Sequence, residues 1–154
     1  MNSGQVRFEF HHYSFLGENS QVAARAAECA AQQDLFWEFY DSLFEEWGVD
    51  AFGSANNRRI AAEIGVDTTT FNKCFDQKRV QKYVDADVEL ATSMGVGSTP
   101  FFFINGRPVK GLADLEVFEQ MIDEELGRTG LLKTGAHEVE GKGCSDSETE
   151  PECA

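Results

Sequence analysis

Apolar and charged positions alternate at the start of the chain. Val6, Phe8 and Phe10 are separated by Arg7 and Glu9, a period of two that predicts a strand continuing through His11, His12 and Tyr13. Gly17, Glu18, Asn19 and Ser20 then read as a turn, with Ser20 capping a helix that carries Val22, Ala23, Ala26, Ala27 and Ala30. Asp34 is placed to cap the next helical stretch, in which Leu35, Phe36, Phe39, Tyr40, Leu43, Phe44 and Trp47 recur at helical spacing and Gly48 supplies a stop. A shorter helix is predicted from about Ser54 to Ile64, ended by Gly65, and a brief one around Phe71 to Phe75. Val80, Tyr83, Val84, Val88, Ala91 and Met94 form one stripe, which predicts a further helix closing at Gly95.

After Thr99-Pro100 the pattern returns to short extended runs. Phe101 to Ile104 and Arg107 to Lys110 flank Asn105-Gly106, a pair that tolerates positive φ at both positions and so predicts a tight hairpin. Phe101 and Phe103 should occupy one face and Phe102 the other, all three in a core covered on both sides. Asp114 is placed to cap a last helix with Leu115, Phe118, Ile122 and Leu126 facing inward. Periodicity fades from Gly127, and Gly135 to Ala154 carries six acidic residues against one lysine, a composition that predicts a disordered acidic tail. The order is strand, helical block, hairpin, helix, within one domain.

Charge narrows the partners. Twenty-seven Asp and Glu against 13 Lys and Arg give a formal net charge of -14, which argues against nucleic acid and against anionic membrane surfaces. The first ten residues lack a basic start followed by an unbroken apolar run, and no stretch approaches the ~20 apolar residues needed to cross a bilayer. Cys29, Cys74, Cys144 and Cys153 contain no CxxC and no zinc-finger spacing. His11 and His12, adjacent on a strand, point to opposite faces and make no metal site. No phosphate loop or carboxylate pair is present, so no cofactor and no metal are expected.

The run Gly95-Val96-Gly97-Ser98-Thr99-Pro100-Phe101-Phe102-Phe103-Ile104-Asn105-Gly106 is the most specific signal. Together with the exit of the first strand at His11 to Phe15, the alanine-rich segment from Ala23 to Gln33, the Phe36-Trp37 pair and Phe71-x-x-Cys74, it resembles the thioredoxin-fold proteins of the DsbA family over roughly Gln5 to Leu126. The resemblance implies an α/β, incomplete thioredoxin-like fold over residues 1–128, with a helical insertion at about 19–94. It also implies a cis bond at Thr99-Pro100, where the backbone of Thr99 would hold an extended substrate peptide, with His12 and Tyr13 bordering that groove beside His11.

Members of the family usually carry one more strand, leading to a CxxC whose first cysteine is the nucleophile. No cysteine here matches that position, so no catalytic residue is assigned and dithiol exchange has no nucleophile in this chain. The missing strand is the central one of the family sheet, so its neighbours would be left with open backbone groups. Repairs include sliding of the first strand against Phe101 to Ile104, pairing of two chains as a homodimer, or a native protein longer than this sequence. A structural disulfide between Cys29 and Cys74 is implied by the same resemblance, the alternative being two buried free thiols. Such a bridge suits an oxidising compartment, which a longer N-terminus would reconcile with the absent export signal; otherwise the chain is cytoplasmic. Cys144 and Cys153 lie among acidic residues that raise a thiol pKa, and no role follows for them. The functional expectation is a DsbA-like oxidoreductase family member without its redox pair and inactive in dithiol exchange, or alternatively a non-catalytic module that binds peptides or dimerises.

Overall fold

A computed structural model describes residues 4–46 and 52–130. Six helices and one hairpin follow in the order α1 (Glu18–Ala31), α2 (Phe36–Glu45), α3 (Ser54–Glu63), α4 (Thr68–Asp76), α5 (Gln81–Ser93), β1 (Phe101–Ile104), β2 (Arg107–Lys110) and α6 (Leu115–Arg128). This is an α/β fold with a helix-rich, thioredoxin-like core and an open sheet of two strands. The expected stop at Gly48, together with Trp47, and the expected acidic tail with His137, Cys144 and Cys153 lie outside the described residues.

The alanines of α1 explain why it is the hub. Ala23, Ala26, Ala27 and Ala30 are all buried, and their small side chains let α2, α3 and α4 approach closely, closing a core over Phe39, Leu43, Ile60, Phe71 and Val80. Cys29 on α1 and Cys74 on α4 are bonded to each other across a sequence separation of 45 residues, and both are buried in that core.

Two helix boundaries differ from the sequence reading. Ser20 lies inside α1, which starts at Glu18 after Gly17 at φ 115, because the Glu18 carboxylate favours the positive end of the helix dipole. Asp34 does not cap α2. It stands at φ 60 in the turn that ends α1, where the Leu35 N–H returns to the Ala30 carbonyl, and Leu35 takes the N-cap position of α2. Asp67 is the one helix cap among the described residues whose side chain accepts a bond from the helix it starts, from the Thr70 N–H at 2.7 Å. The Thr70 side chain and then its main-chain N–H hold the Asp67 carboxyl below the usual carboxylate range. Its contribution is therefore complete above the unfolded carboxylate pKa and lost as pH falls through the depressed folded value. Thermal midpoints of the wild type and Asp67→Ala, compared from pH 7 downward, should converge in the acid range; a gap that widens on acidification would contradict the cap.

Residues 6–13 form no regular element and pair with no strand among the described residues, so the first predicted strand is not realised as one. Alternation creates a strand only where a neighbour accepts its backbone bonds, and no neighbour is present on either side among the described residues. The hairpin forms with Asn105 at φ 48 and Gly106 at φ 85. Its register sets Ile104 opposite Arg107 and Phe102 opposite Val109. The Gly111 N–H bond to the Pro100 carbonyl extends that alternation, so the main-chain groups of Ile104, Phe102 and Pro100 face inward on the ladder, while those of Phe101 and Phe103 face outward. The opposite edge is closed in a different way, since Pro108 on β2 has no N–H to offer.

The three phenylalanines of β1 are less covered than predicted. Phe102 packs edge-on against Phe118 of α6, but Phe101 is half-buried and Phe103 is exposed, because two strands cannot bury both faces. Leu115 is likewise exposed rather than inward. The buried residue of α6 is Glu125, which accepts from Asn105 Nδ2 at 3.3 Å and lies 3.5 Å from both Arg107 and Arg128, tying the hairpin tip to the helix. Of the α5 stripe only Val80 and Val84 are buried; Tyr83 and Met94 are exposed.

Candidate functional site

The site lies where the N-terminal segment meets the loop before β1. Phe10 and His12 share one set of ring contacts, whereas His11 and Tyr13 reach α5 and the loop before β1. The His12 ring is buried, its Nε2 is 3.0 Å from Glu28 of α1, and it meets the rings of Phe10 and Phe36 edge-on. Phe10 and Phe8 continue into an aromatic cluster with Phe36, Trp37, Tyr40 and Phe44, of which Phe8, Trp37 and Phe44 are about half exposed. Burial and the neighbouring Asp41 carboxylate push the Tyr40 phenol up, so it is a neutral member of this cluster.

Asp87 of α5 fixes the segment with both oxygens. His11 Nδ1 is 2.8 Å from one, and the His12 main-chain N–H donates to the other at 2.9 Å. Two residues after His11, the Tyr13 hydroxyl donates to the Val96 carbonyl at 2.8 Å. Val96 begins the loop that leads to Thr99-Pro100, whose peptide bond is cis. The segment is thus stapled to α5 and to the β1 approach loop.

Among the residues expected at a peptide groove, Thr99 and Pro100 are exposed, Tyr13 is half-buried with its hydroxyl on the approach loop, and the His12 ring is turned inward against Glu28. Asp87 and Glu28 carry no motif that marks them in the sequence. The available signal is Asp87 itself, an acid three residues after Val84 on the apolar stripe of α5, where only a polar partner explains a carboxylate. Among the described residues no group of three His, Cys, Asp or Glu side chains gathers as a metal site, and no helix is long and apolar enough to cross a membrane.

A family model described as thioredoxin matches residues 1–124. The chain belongs to the thioredoxin family. This thioredoxin-family chain is similar to a crystal structure of a thioredoxin-like oxidoreductase from Silicibacter pomeroyi, with a TM-score of 0.62 and 25% identity, covering 76% of this chain and 66% of that one. It is 27% identical over 133 residues to disulfide bond formation protein D of Bacillus subtilis, across 82% of this chain and 60% of that protein. It is 29% identical over 145 residues to Na(+)/H(+) antiporter NhaA 3 of Salinispora tropica, across 93% of this chain but 22% of the antiporter. The thioredoxin-family chain therefore spans less than two thirds of the length of the Bacillus subtilis and Salinispora tropica relatives. It is a DsbA-like member of the thioredoxin superfamily with an incomplete sheet and without a CxxC pair.

Proposed function

We propose that this chain is the peptide-docking part of a DsbA-like thiol-disulfide oxidoreductase fold. It holds an extended, cysteine-containing peptide along Thr99 and the open edge of β1, and on its own it does not carry out dithiol exchange. The observation that carries this reading is the outer edge of β1, whose main-chain groups at Phe101 and Phe103 pair with no strand among the described residues, in a chain without CxxC. An open edge accepts a peptide by strand addition, with main-chain bonds supplying affinity. Exchange needs an attacking thiolate, and Cys29 and Cys74 are buried and bonded to each other. Thiol-bearing peptides are favoured as the class because the Bacillus subtilis relative is a disulfide bond formation protein and the Silicibacter pomeroyi protein a thioredoxin-like oxidoreductase. The buried disulfide favours an oxidising compartment.

Fluorescence anisotropy with a labelled, cysteine-containing peptide tests the docking. Saturable binding is expected, weakened by about tenfold or more in Phe103→Pro, which removes an outward N–H of the β1 edge, a loss of about 1.4 kcal/mol. Insulin reduction by the same preparation should equal the rate without protein. Absent binding, or turnover above that blank, would contradict the reading. A second reading, a homodimer paired through the same edge, is favoured by the outward groups of Phe101 and Phe103 and opposed by the net charge of -14. Sedimentation equilibrium separates the two: a monomer of 17.1 kDa supports peptide docking, and a species of twice that mass supports pairing.

A further inference from the structure

We infer that His11, oriented by Asp87, is a general base for the thiol of a cysteine in the docked peptide. The inference rests on the peptide-docking reading and adds to it a group that moves a proton. The geometry begins with Asp87, whose two oxygens are both engaged, one by His11 Nδ1 at 2.8 Å and one by the His12 main-chain N–H at 2.9 Å. Its side chain is 23% exposed and that of His11 50%, so a partly buried carboxylate holds an imidazole that solvent and a ligand can reach. A carboxylate only accepts, so in the neutral imidazole Nδ1 of His11 is the protonated nitrogen and Nε2 is the one that holds a lone pair. No described residue partners that Nε2.

Placement singles out His11 rather than His12. His11 bonds Asp87 of α5, and two residues on the Tyr13 hydroxyl bonds the carbonyl of Val96, which follows α5 on the loop that leads to Thr99-Pro100. The His12 ring is buried beside Glu28, where no peptide can reach it. Asp87 is the charged group that faces His11 from α5, and Glu28 of α1 faces His12 instead. A base with one nitrogen fixed by a carboxylate, two residues before the tyrosine that bonds the loop leading to Thr99-Pro100, is an arrangement that general-base chemistry uses.

A free thiol is ionised to only a few per cent at pH 7. In the proposed step the S–H proton passes to His11 Nε2, leaving a thiolate on the peptide and an imidazolium stabilised by Asp87. Water then takes the proton, and no electron is transferred.

The probe is iodoacetamide, which the thiolate attacks with loss of iodide. Alkylation of the docked peptide, followed by mass spectrometry at saturating protein and neutral pH, should run about tenfold faster than that of free peptide, below the factors of enclosed bases because His11 is half exposed. His11→Gln retains a donor for Asp87 and, with the peptide held at saturation as judged by anisotropy, should return the rate to that of free peptide. Asp87→Asn still accepts the His12 N–H but no longer fixes the tautomer; at peptide saturation it should lower the rate across the pH profile. A docked peptide that reacts at the free rate or slower, or a His11→Gln protein that keeps the acceleration, overturns the inference while leaving docking intact. Absence of binding overturns the docking reading and the inference with it.

Discussion

Removing the Cys29–Cys74 disulfide, by the double substitution Cys29→Ala with Cys74→Ala, is expected to destabilise the protein by about 4 kcal/mol. The bridge closes a sequence separation of 45 residues, and restraint of a loop of that size in the unfolded chain accounts for about that amount in the chain-entropy description. Location strengthens the effect. Cys29 stands on α1 among Ala26, Ala27 and Ala30, and Cys74 on α4 between Phe71 and Phe75, so the bond joins the hub to the helix that covers it. Both cysteines are buried in the folded state, so a reductant acts through unfolding. Urea denaturation of the oxidised wild type and the double variant measures the difference. Unfolding free energies that agree within about 1 kcal/mol would contradict a structural role for the bond.

Phe39→Ala should cost about 3 to 5 kcal/mol, the range for a large aromatic ring removed from a closed core. Phe39 has no exposed surface, its ring lies 6.3 Å from that of Phe71, and it belongs to the cluster closed by Ile60 and the alanines of α1. Methyl groups on a rigid helix cannot reach into the void, so the site collapses little and the cost stays high. Phe44→Ala, five residues later on the same helix and 49% exposed, should cost about 1 kcal/mol or less. Equal losses for the two variants, measured by the same denaturation, would contradict the assignment of the α2 core face.

How far the sequence discloses this arrangement depends on whether a signal is local. The hairpin is legible because Asn105 and Gly106 supply their own positive φ angles and need no distant partner. The helices are legible from periodicity, while the ends of α1 and α2 are not. Asp34 is a residue type suited to an N-cap, but it is also one of the few that tolerates φ 60, and the turn ending α1 uses that second property. The segment at residues 6–13 shows the limit of period-two reasoning, since alternation reports which faces differ in polarity and says nothing about whether an adjacent strand exists. Leu115 and Phe103 are exposed where periodicity predicts inward positions for the same reason, their cover being set by how many strands the sheet has. In the candidate site, Thr99, Pro100, His12 and Tyr13 are the residues that the motifs single out, whereas Asp87 is separated from His11 by 76 residues and only tertiary structure joins them.

The central claim is that a peptide docks along Thr99 and the free edge of β1, and amide hydrogen exchange during a titration with the cysteine-containing peptide tests it at single residues. The ladder to β2 already engages the N–H groups of Phe102 and Ile104, while those of Phe101 and Phe103 face outward. Saturating peptide is therefore predicted to slow exchange at Thr99, Phe101 and Phe103 and to leave Phe102 and Ile104 little changed. Protection confined to the aromatic surface of α2, or no change at Phe101 and Phe103 when peptide is bound, would contradict the account.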